Sequence, residues 1–286
     1  MTATLQSVIR YLQRNRSMAL GLFLLAAIAA FVIVGRLLWD VDQANPLSAP
    51  PNLKPSTDHP LGTDRQARDL LAVMLVGTPK TLYIGFMAGL IGVVIGTILA
   101  LVSSYYGGWV DGIIKTVIDI GLTIPPLLVL ILAAVSLKAS LSVTQMMLVV
   151  ASLSWLYPAR TIRSQALSIR ERSYIQVARL SGSSSPQIIF REVMPNLLPY
   201  LAASFVGAVA GGILASIGLE VLGLSSLESN TLGVTIYWAN YYAAMLHGLW
   251  WWFLPPVIII VLLFVALFGI TTGLDELANP RTRRVA

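Results

Sequence analysis

The chain has 286 residues, of which 56% are hydrophobic and only 11% are charged. Because soluble globular chains carry about 25% charged residues, this composition excludes an ordinary water-soluble domain. A net charge of +6 would also suit a nucleic-acid-binding protein, but the arginines lie mostly at the ends of apolar runs, where basic residues orient membrane helices. Membrane lipid, and not nucleic acid, is therefore the expected contact. Without any cysteine, the chain can form neither a disulfide nor a cysteine-ligated cluster.

Six apolar runs approach the length of about 20 residues that a transmembrane helix needs, and they predict an all-α, polytopic membrane protein. The predicted spans are 18–38, 80–106, 113–137, 141–159, 198–224 and 249–273. The first follows a basic stretch, as in a signal peptide, but its apolar run exceeds the roughly 7–15 residues of a cleavable signal. We therefore expect it to remain as a helix. In the fifth span, Gly207 and Gly211 predict close packing against another helix.

Lys and Arg are unequally distributed among the segments between these spans. Residues 1–17, the segment 160–192 and the C-terminal tail are rich in Arg, whereas 225–248 contains neither Lys nor Arg. Six spans place the three basic segments on one side, which the positive-inside rule identifies as the cytoplasm. We therefore predict an inner-membrane protein with both termini cytoplasmic. The predicted parts are a cytoplasmic tail (1–17), a first span with an external loop (18–79), a transmembrane domain (80–273) with a cytoplasmic loop at 160–197, and a second cytoplasmic tail (274–286).

Prolines and aromatic residues mark the segments predicted to be external. Five prolines between the first two spans favour extended and turn backbone over a long helix. Beyond the fifth span, seven aromatic residues gather near the predicted outer interface: Tyr237, Trp238, Tyr241, Tyr242, Trp250, Trp251 and Trp252. Their rings suit the headgroup layer of a membrane. One or two of them, with Tyr237 and Trp238 as the candidates, could instead line a solute path.

Two acidic residues fall inside predicted spans, where a charge is costly and often functional. Asp119 follows Lys115 by one helical turn, and this spacing predicts a local ion pair. Glu220 has no such neighbour. It either lies near enough to the outer end of its span to reach water or lines the solute path.

A helix–turn–helix is predicted within the basic segment that follows the fourth span. The apolar face of its first helix carries Tyr174, Val177, Ala178 and Ser181. Gly182 is expected to end that helix with a positive φ angle. Ser185 and Pro186 are a favoured pair for beginning the second helix, and we expect Pro195 to end it.

This segment resembles the EAA loop of the permease subunits of ABC importers. That loop has Glu-Ala-Ala, three residues, Gly, nine residues, and an apolar-x-Leu-Pro ending. The chain has Gln176-Val-Ala178, then Gly182, then Met194-Pro195 at the same spacing, and it departs from the pattern at Gln176, Val177 and Glu192. The resemblance implies that these positions dock on an ATPase subunit: Tyr174, Gln176, Val177, Ala178, Gly182, Pro186, Met194 and Pro195.

A second resemblance narrows the family. His59-Pro-Leu-Gly-Thr-Asp64, followed by Arg68-Asp69, is similar to a signature of the dipeptide, oligopeptide and nickel class of permeases, with Ala67 where Gly is usual. Ser104–Asp111 and Asn279–Arg281 fit the same subunit, the C-type partner of a heterodimer. The external-loop residues marked in this way are His59, Gly62, Asp64, Arg68 and Asp69. Asp64 and Arg68 are expected to staple the loop, and His59 is expected to be structural.

The sequence lacks the motifs of an enzyme that would act alone. It has no Gly-x-x-x-x-Gly-Lys-Ser/Thr phosphate loop, so we expect no ATP hydrolysis by this chain. Neither histidine has a partner at metal-ligand spacing, and neither a catalytic constellation nor a cofactor motif is recognisable. The resemblance implies instead that ATP and Mg²⁺ are bound by partner subunits.

The implied assembly contains a homologous second permease, two ATPase subunits and an external solute-binding protein. Short peptides are the first expected solute. Oligosaccharides are the second, because the aromatic run around Trp238 would suit sugar rings. The main alternative is a secondary transporter driven by an ion gradient, which would need inverted repeats and a polar site at mid-membrane that the sequence does not show.

Overall fold

In a computed structural model of the chain, residues 11–12, 14–137, 140–184 and 187–278 are described. Within these ranges the protein is helical, as the sequence predicts, and extended pairing is limited to two isolated bridges. The helices are α1 (Arg16–Leu38), α2 (Leu70–Tyr106), α3 (Gly108–Thr123), α4 (Pro126–Ser136), α5 (Val143–Ser154), α6 (Leu156–Arg170), α7 (Ser173–Leu180), α8 (Met194–Val221), α9 (Leu232–Tyr241) and α10 (Trp250–Ala278). A 3₁₀ turn, Val41–Ala44, follows α1, and a π-helical turn, Ile188–Val193, leads into α8.

The number of spanning helices differs from the six predicted. Among the described residues, α1, α2, α10 and α8 with its π-helical turn are long and apolar enough to cross a membrane. The predicted third span, 113–137, is bent by 86° between α3 and α4, so it makes a fifth span only if the two helices are counted together. Pro125 and Pro126 cause this break, because they lack N–H donors and disfavour helical backbone at Ile124, which is extended at φ −80° and ψ 132°.

The predicted fourth span, 141–159, is divided between two helices. Ser142 begins α5 with a capping box formed with Gln145, but α5 ends at Ser154. Trp155 then connects it to α6, which carries the chain on to Arg170. Neither helix alone reaches the length of a span, so the apolar run in the sequence does not correspond to one continuous element.

The central helix, α2, starts well before the predicted residue 80. Asp69 caps its first turn by accepting a backbone hydrogen bond. The helix then continues through Pro79, which cannot donate to the Leu75 carbonyl one turn earlier. The Arg36 Nε of α1 donates to that carbonyl at 3.1 Å, so a neighbouring helix satisfies the group that the proline leaves free.

The closest helix packing lies between α2 and α8. A Cβ added to Gly85 would lie 2.9 Å from the Val209 carbonyl oxygen, and Gly212 faces the Gly85 backbone. Small residues permit this approach, and dispersion contacts between the helices stabilise it. The predicted packing face contained Gly207 and Gly211, but the close approach is made by Gly212, one position further along. Around Gly207 and Gly211, no atom of the described residues lies within 4 Å of an added Cβ.

Two regions lie at opposite ends of α2. At its start, residues 39–69 and α9 form what we call the cap layer, with extended and turn backbone where the prolines predict it. At its end lie residues 171–195, which we call the docking loop after the role that the sequence predicts, although 185 and 186 fall outside the described residues. Because α2 has 37 residues and a helix rises 1.5 Å per residue, about 55 Å separates the two ends.

Candidate functional site

The turn of the docking loop has the geometry that the sequence predicts. Gly182 has φ +81°. Its N–H donates to the Arg179 carbonyl at 3.0 Å, and the Ser183 N–H donates to the Ala178 carbonyl at 3.1 Å. These two bonds form a Schellman motif, which closes α7. No described atom lies within 4 Å of an added Cβ at Gly182, so the constraint on this position is its backbone conformation.

The second half of the loop differs from the prediction. Ser185 and Pro186 lie outside the described residues. The prediction that Pro195 ends a separate helix is wrong, because the π-helical turn runs directly into α8. The Met194 N–H donates to the Ile189 carbonyl, five residues earlier, and Pro195 lies in the first turn of α8. At that position the missing N–H of proline is tolerated.

The side of α7 that faces the bundle is centred on a residue that the sequence analysis did not single out. Ile175 is fully buried in an apolar cluster with residues of α2, α6 and α8. Tyr174 and Ala178 are half-buried against the same cluster. The residues predicted to dock therefore do not share one surface, because Tyr174 and Ala178 pack against the helix bundle.

The outward side of α7 carries the other predicted docking residues. Gln176 and Val177 are exposed, and the neighbouring Leu180 is 89% exposed. Met194 is half-buried and Pro195 is exposed at the base of α8. Exposed apolar side chains on a rigidly capped short helix are typical of a surface that enters a groove on a partner protein.

Two arginines of α6, the helix that leads into the docking loop, tie that helix to the end of α2 and to α3. Arg163 forms a bidentate pair with Asp111 of α3, with Nε and Nη2 each 2.6 Å from a carboxylate oxygen, and Ser103 donates to the same carboxylate. Hydrogen bonding to Asp111 raises the pKa of Arg163 above its usual range. Arg170 donates to the Ser104 carbonyl at the C-terminal end of α2. These partners are more than 50 residues apart in sequence, so no local pattern reveals them.

Asp119 does not form the local ion pair that its spacing predicts. Among the described residues, Asp119 and Lys115 make no ion pair within 4 Å of each other. Both line a hollow of about 220 Å³, together with Arg160 and Arg163 of α6. Helix packing therefore brings Asp119 towards the arginines of a neighbouring helix.

The polar residues of the cap layer form one connected network. Asp64 accepts a hydrogen bond from Arg68 Nε at 2.7 Å and lies 2.6 Å from its Nη2, and both side chains are buried. Arg68 Nη1 donates to Asn230 at 2.7 Å, and Asn230 donates to the Ala44 carbonyl. This is the stapling arrangement that the sequence predicts, and it also fixes the segment that leads into α9.

His59 belongs to the same layer. Its Nδ1 lies 2.8 Å from Asp69 Oδ2, and Trp39 Nε1 donates to Asp69 Oδ1 at 3.2 Å. Gly62 has φ +73°, and a Cβ there would lie 2.6 Å from the Leu53 carbonyl. Within the described ranges, no group of three or more His, Asp and Glu side chains could hold a metal ion. His59 therefore contacts the residue that caps α2, and its structural role remains the prediction made from the sequence.

Glu220 is buried inside the protein and does not reach solvent at the end of its helix. It is 1% exposed and lies at the N-terminus of α9, beside the Thr231 side chain and the Gly233 N–H. A Cβ on Gly233 would lie 2.2 Å from Glu220 Oε2. The positive end of a helix dipole favours a carboxylate. Glu220 thus connects α8 to α9.

The aromatic residues contact one another, which corrects part of the predicted membrane belt. Trp251 and Trp252 are buried. Trp238 stacks on Tyr242, with ring centroids 5.7 Å apart, and Tyr237 stacks on a neighbouring tyrosine at 6.0 Å. These contacts between rings stabilise the cap layer.

A family model described as "Binding-protein-dependent transport system inner membrane component" matches residues 92–284. The matched stretch includes the docking loop, α8, α9 and α10.

Curated relatives extend the match towards the N-terminus. The oligopeptide transport system permease protein OppC of Mycobacterium tuberculosis is 33% identical over 220 residues, which cover 76% of this chain and 74% of that protein. The dipeptide transport system permease protein DppC of Bacillus subtilis is 29% identical over 279 residues, which cover 98% and 86%. The glutathione transport system permease protein GsiD of Pectobacterium atrosepticum is 32% identical, with coverages of 76% and 71%.

A solved structure has a similar fold. An inward-facing conformation of the MetNI methionine ABC transporter superposes with a TM-score of 0.57 and 19% sequence identity. The match covers 74% of this chain and 97% of that one.

Proposed function

The chain belongs to the family of binding-protein-dependent transport system inner membrane components, and on that premise we propose that it is a permease subunit of an ABC importer for short peptides. The observation that supports the proposal is that α7, a short helix closed by a Schellman turn, lies within the region that matches the family. Membership of this family does not fit the alternative of a secondary transporter driven by an ion gradient.

The proposed partner of the docking loop is an ATPase subunit. The exposed side chains of Val177 and Leu180 would enter a groove on that subunit, while Ile175 anchors α7 to the bundle. Two such subunits would bind ATP and Mg²⁺, and the chain itself would need no cofactor. When the ATPases close on ATP, they would move the docking loop. Because α6 and α8 flank the loop, its movement would favour one of two arrangements of the helix bundle.

A homologous second permease and an external solute-binding protein would complete the assembly. The proposed path runs along α2, α3–α4, α8 and α10. The exposed face of α8 around Gly207 and Gly211 supports this, because it is uncharged and is not covered by other described residues. A path lined by small and apolar groups would pass varied solutes and leave selection to the external protein.

Peptides are proposed as the solute because the relatives are named as transporters of oligopeptides, dipeptides and glutathione. The aromatic run that favoured oligosaccharides in the sequence does not support them in the structure. Trp251 and Trp252 are buried, Trp238 stacks on Tyr242, and Tyr237 stacks on Tyr241.

Uptake by the reconstituted assembly tests the proposal. Proteoliposomes would contain this chain, the second permease and both ATPases, with the solute-binding protein on the opposite side from ATP. We expect labelled tri- and tetrapeptides to accumulate only with hydrolysable ATP, and a non-hydrolysable analogue to serve as the control. Uptake driven by an ion gradient without ATPase subunits would contradict the proposed mechanism. ATP-driven uptake restricted to oligosaccharides or to nickel would contradict the proposed solute.

A further inference from the structure

A basic hollow lies between the end of α2 and the docking loop. Its volume is about 540 Å³. Two arginines, Arg170 and Arg179, line it together with the hydroxyl-bearing Ser104 and Ser183. No acidic side chain is among the described residues that line it, so its positive charge is not neutralised from within the wall.

Both guanidinium groups keep unused hydrogen-bond donors. Arg170 uses Nη1 to hold the carbonyls of Ser104 and Tyr105, and no acceptor from the described part of the chain meets its Nε or Nη2. Arg179 makes neither a side-chain hydrogen bond nor an ion pair with any described residue. Two arginines that face one cavity in this way favour a phosphate, because the planar fork of donors matches its oxygens.

An apolar groove of about 500 Å³ lies directly beside the hollow. The two cavities share wall residues, among them Leu101 and Tyr105. Along α2 the groove follows Ile98, Leu101, Val102 and Tyr105, which have the i, i+3, i+4, i+7 spacing of one helix face. This stripe runs about 10 Å from the tyrosines back into the spanning part of α2. Phe190, which is 67% exposed, forms the opposite wall.

We propose that the hollow and the groove together bind one anionic phospholipid. Its phosphate would lie on Arg170 and Arg179, and one acyl chain would lie along the stripe of α2 against Phe190. A basic pocket at the membrane boundary that opens onto an apolar groove matches an amphiphile with a negative headgroup. The pair of tyrosines at the junction has the amphipathic character of residues at the headgroup level.

Two other occupants match the site less well. A free phosphate would occupy only the hollow and leave the groove empty. An acidic side chain of a partner protein would likewise leave the apolar groove uncovered. The exposed residues proposed to contact the ATPase, Val177 and Leu180, line neither cavity. The lipid site therefore adjoins the docking loop without using these two side chains, and it does not depend on the solute.

Lipid titration of the purified full-length chain by native mass spectrometry tests the proposal. The probes are phosphatidylglycerol, phosphatidylcholine and inorganic phosphate. We expect one phosphatidylglycerol per chain to bind more tightly than phosphatidylcholine. Arg179→Gln and Arg170→Gln should each weaken phosphatidylglycerol binding about fivefold, which corresponds to the loss of one basic residue at a lipid surface. Phe190→Ala should also weaken phosphatidylglycerol binding, because it removes a proposed contact with the acyl chain.

Arg172→Gln is the matched control, because Arg172 is exposed in the same segment but lines neither cavity. It should retain wild-type binding. Since Arg179 contacts no described partner, Arg179→Gln should unfold at the wild-type temperature, which separates lost binding from lost folding. The proposal is overturned if the two lipids bind equally, if phosphate displaces phosphatidylglycerol at equal concentration, or if Arg172→Gln weakens binding as much as Arg179→Gln.

Discussion

The cap layer and the docking loop, at the two ends of α2, are stabilised in different ways. In the cap layer, buried charges find their partners within the chain, as the Asp64–Arg68 pair shows. In the docking loop, support comes from the buried Ile175 and a Schellman turn, while Leu180 is left exposed. The comparison indicates that buried charge pairs fix the cap layer, whereas the docking loop leaves an apolar side chain exposed that we propose a partner covers.

This difference has a physical basis. A buried ion pair is stable only when its geometry and hydrogen bonds are satisfied, and it therefore specifies one conformation. Exposed apolar groups gain free energy when another apolar surface covers them, and an unpaired arginine gains it when an anion pairs with its guanidinium group. The cap layer is thus suited to a fixed shape, whereas the docking loop is suited to association with a moving subunit.

The largest expected effect comes from breaking the cap layer. Asp64→Ala leaves the buried Arg68 without its counter-charge, and removing one partner of a buried pair destabilises a protein by about 3–5 kcal/mol. We expect a correspondingly lower unfolding midpoint in detergent. Asp58→Ala is the control, because Asp58 is exposed in the same loop, and it should unfold like the wild type. Equal midpoints for the two variants would show that the network is not the main support of this layer.

A smaller strain at the docking loop should have a functional effect. Gly182→Val forces a β-branched residue to a positive φ angle, at about 1–2 kcal/mol or more. The global unfolding midpoint should change little, whereas ATPase binding or ATP-coupled uptake should fall. Gly182→Asn provides the matched control, since Asn adopts this conformation in helix-ending turns. Normal uptake by Gly182→Val at normal expression would refute the coupling role of this turn.

The smallest expected effect is a gain in stability. Ala67 stands where the resembled signature has Gly, and its φ is +61°. Ala67→Gly relieves about 1–2 kcal/mol of left-handed strain and loses about 0.5–1 kcal/mol to the extra freedom of the unfolded chain. We expect a net stabilisation of about 0.5–1 kcal/mol in chemical denaturation. A destabilised Ala67→Gly variant would show that the alanine methyl contributes packing that outweighs its strain.

Features with a local origin could be predicted from the sequence. The positive φ of Gly182, the turn backbone of the proline-rich loop and the stapling by Asp64 and Arg68 all arise from residues close together in the chain. Pro125, which breaks the third predicted span, is visible in the sequence. Mean hydropathy does not reveal the break, because it averages proline with the apolar residues around it.

Features that depend on tertiary packing could not be predicted. The partner of Asp111 is Arg163, on another helix. Glu220 lies beside Gly233, in a helix that follows a turn. Helical periodicity alone gave Tyr174 and Val177 the same role, whereas packing against the bundle buries part of one and exposes the other.

The central claim is that an ATPase subunit covers the docking loop and not the cap layer. Cysteine labelling tests this claim most directly. The chain has no native cysteine, and Ser56 in the cap layer and Ser184 in the docking loop are both exposed. With an impermeant thiol reagent, we expect Ser56→Cys to react from outside intact cells, with or without ATPase subunits. Ser184→Cys should react only from the cytoplasmic side, and bound ATPase subunits should protect it. Labelling of Ser184→Cys from outside, or equal labelling with and without the ATPases, would contradict the account.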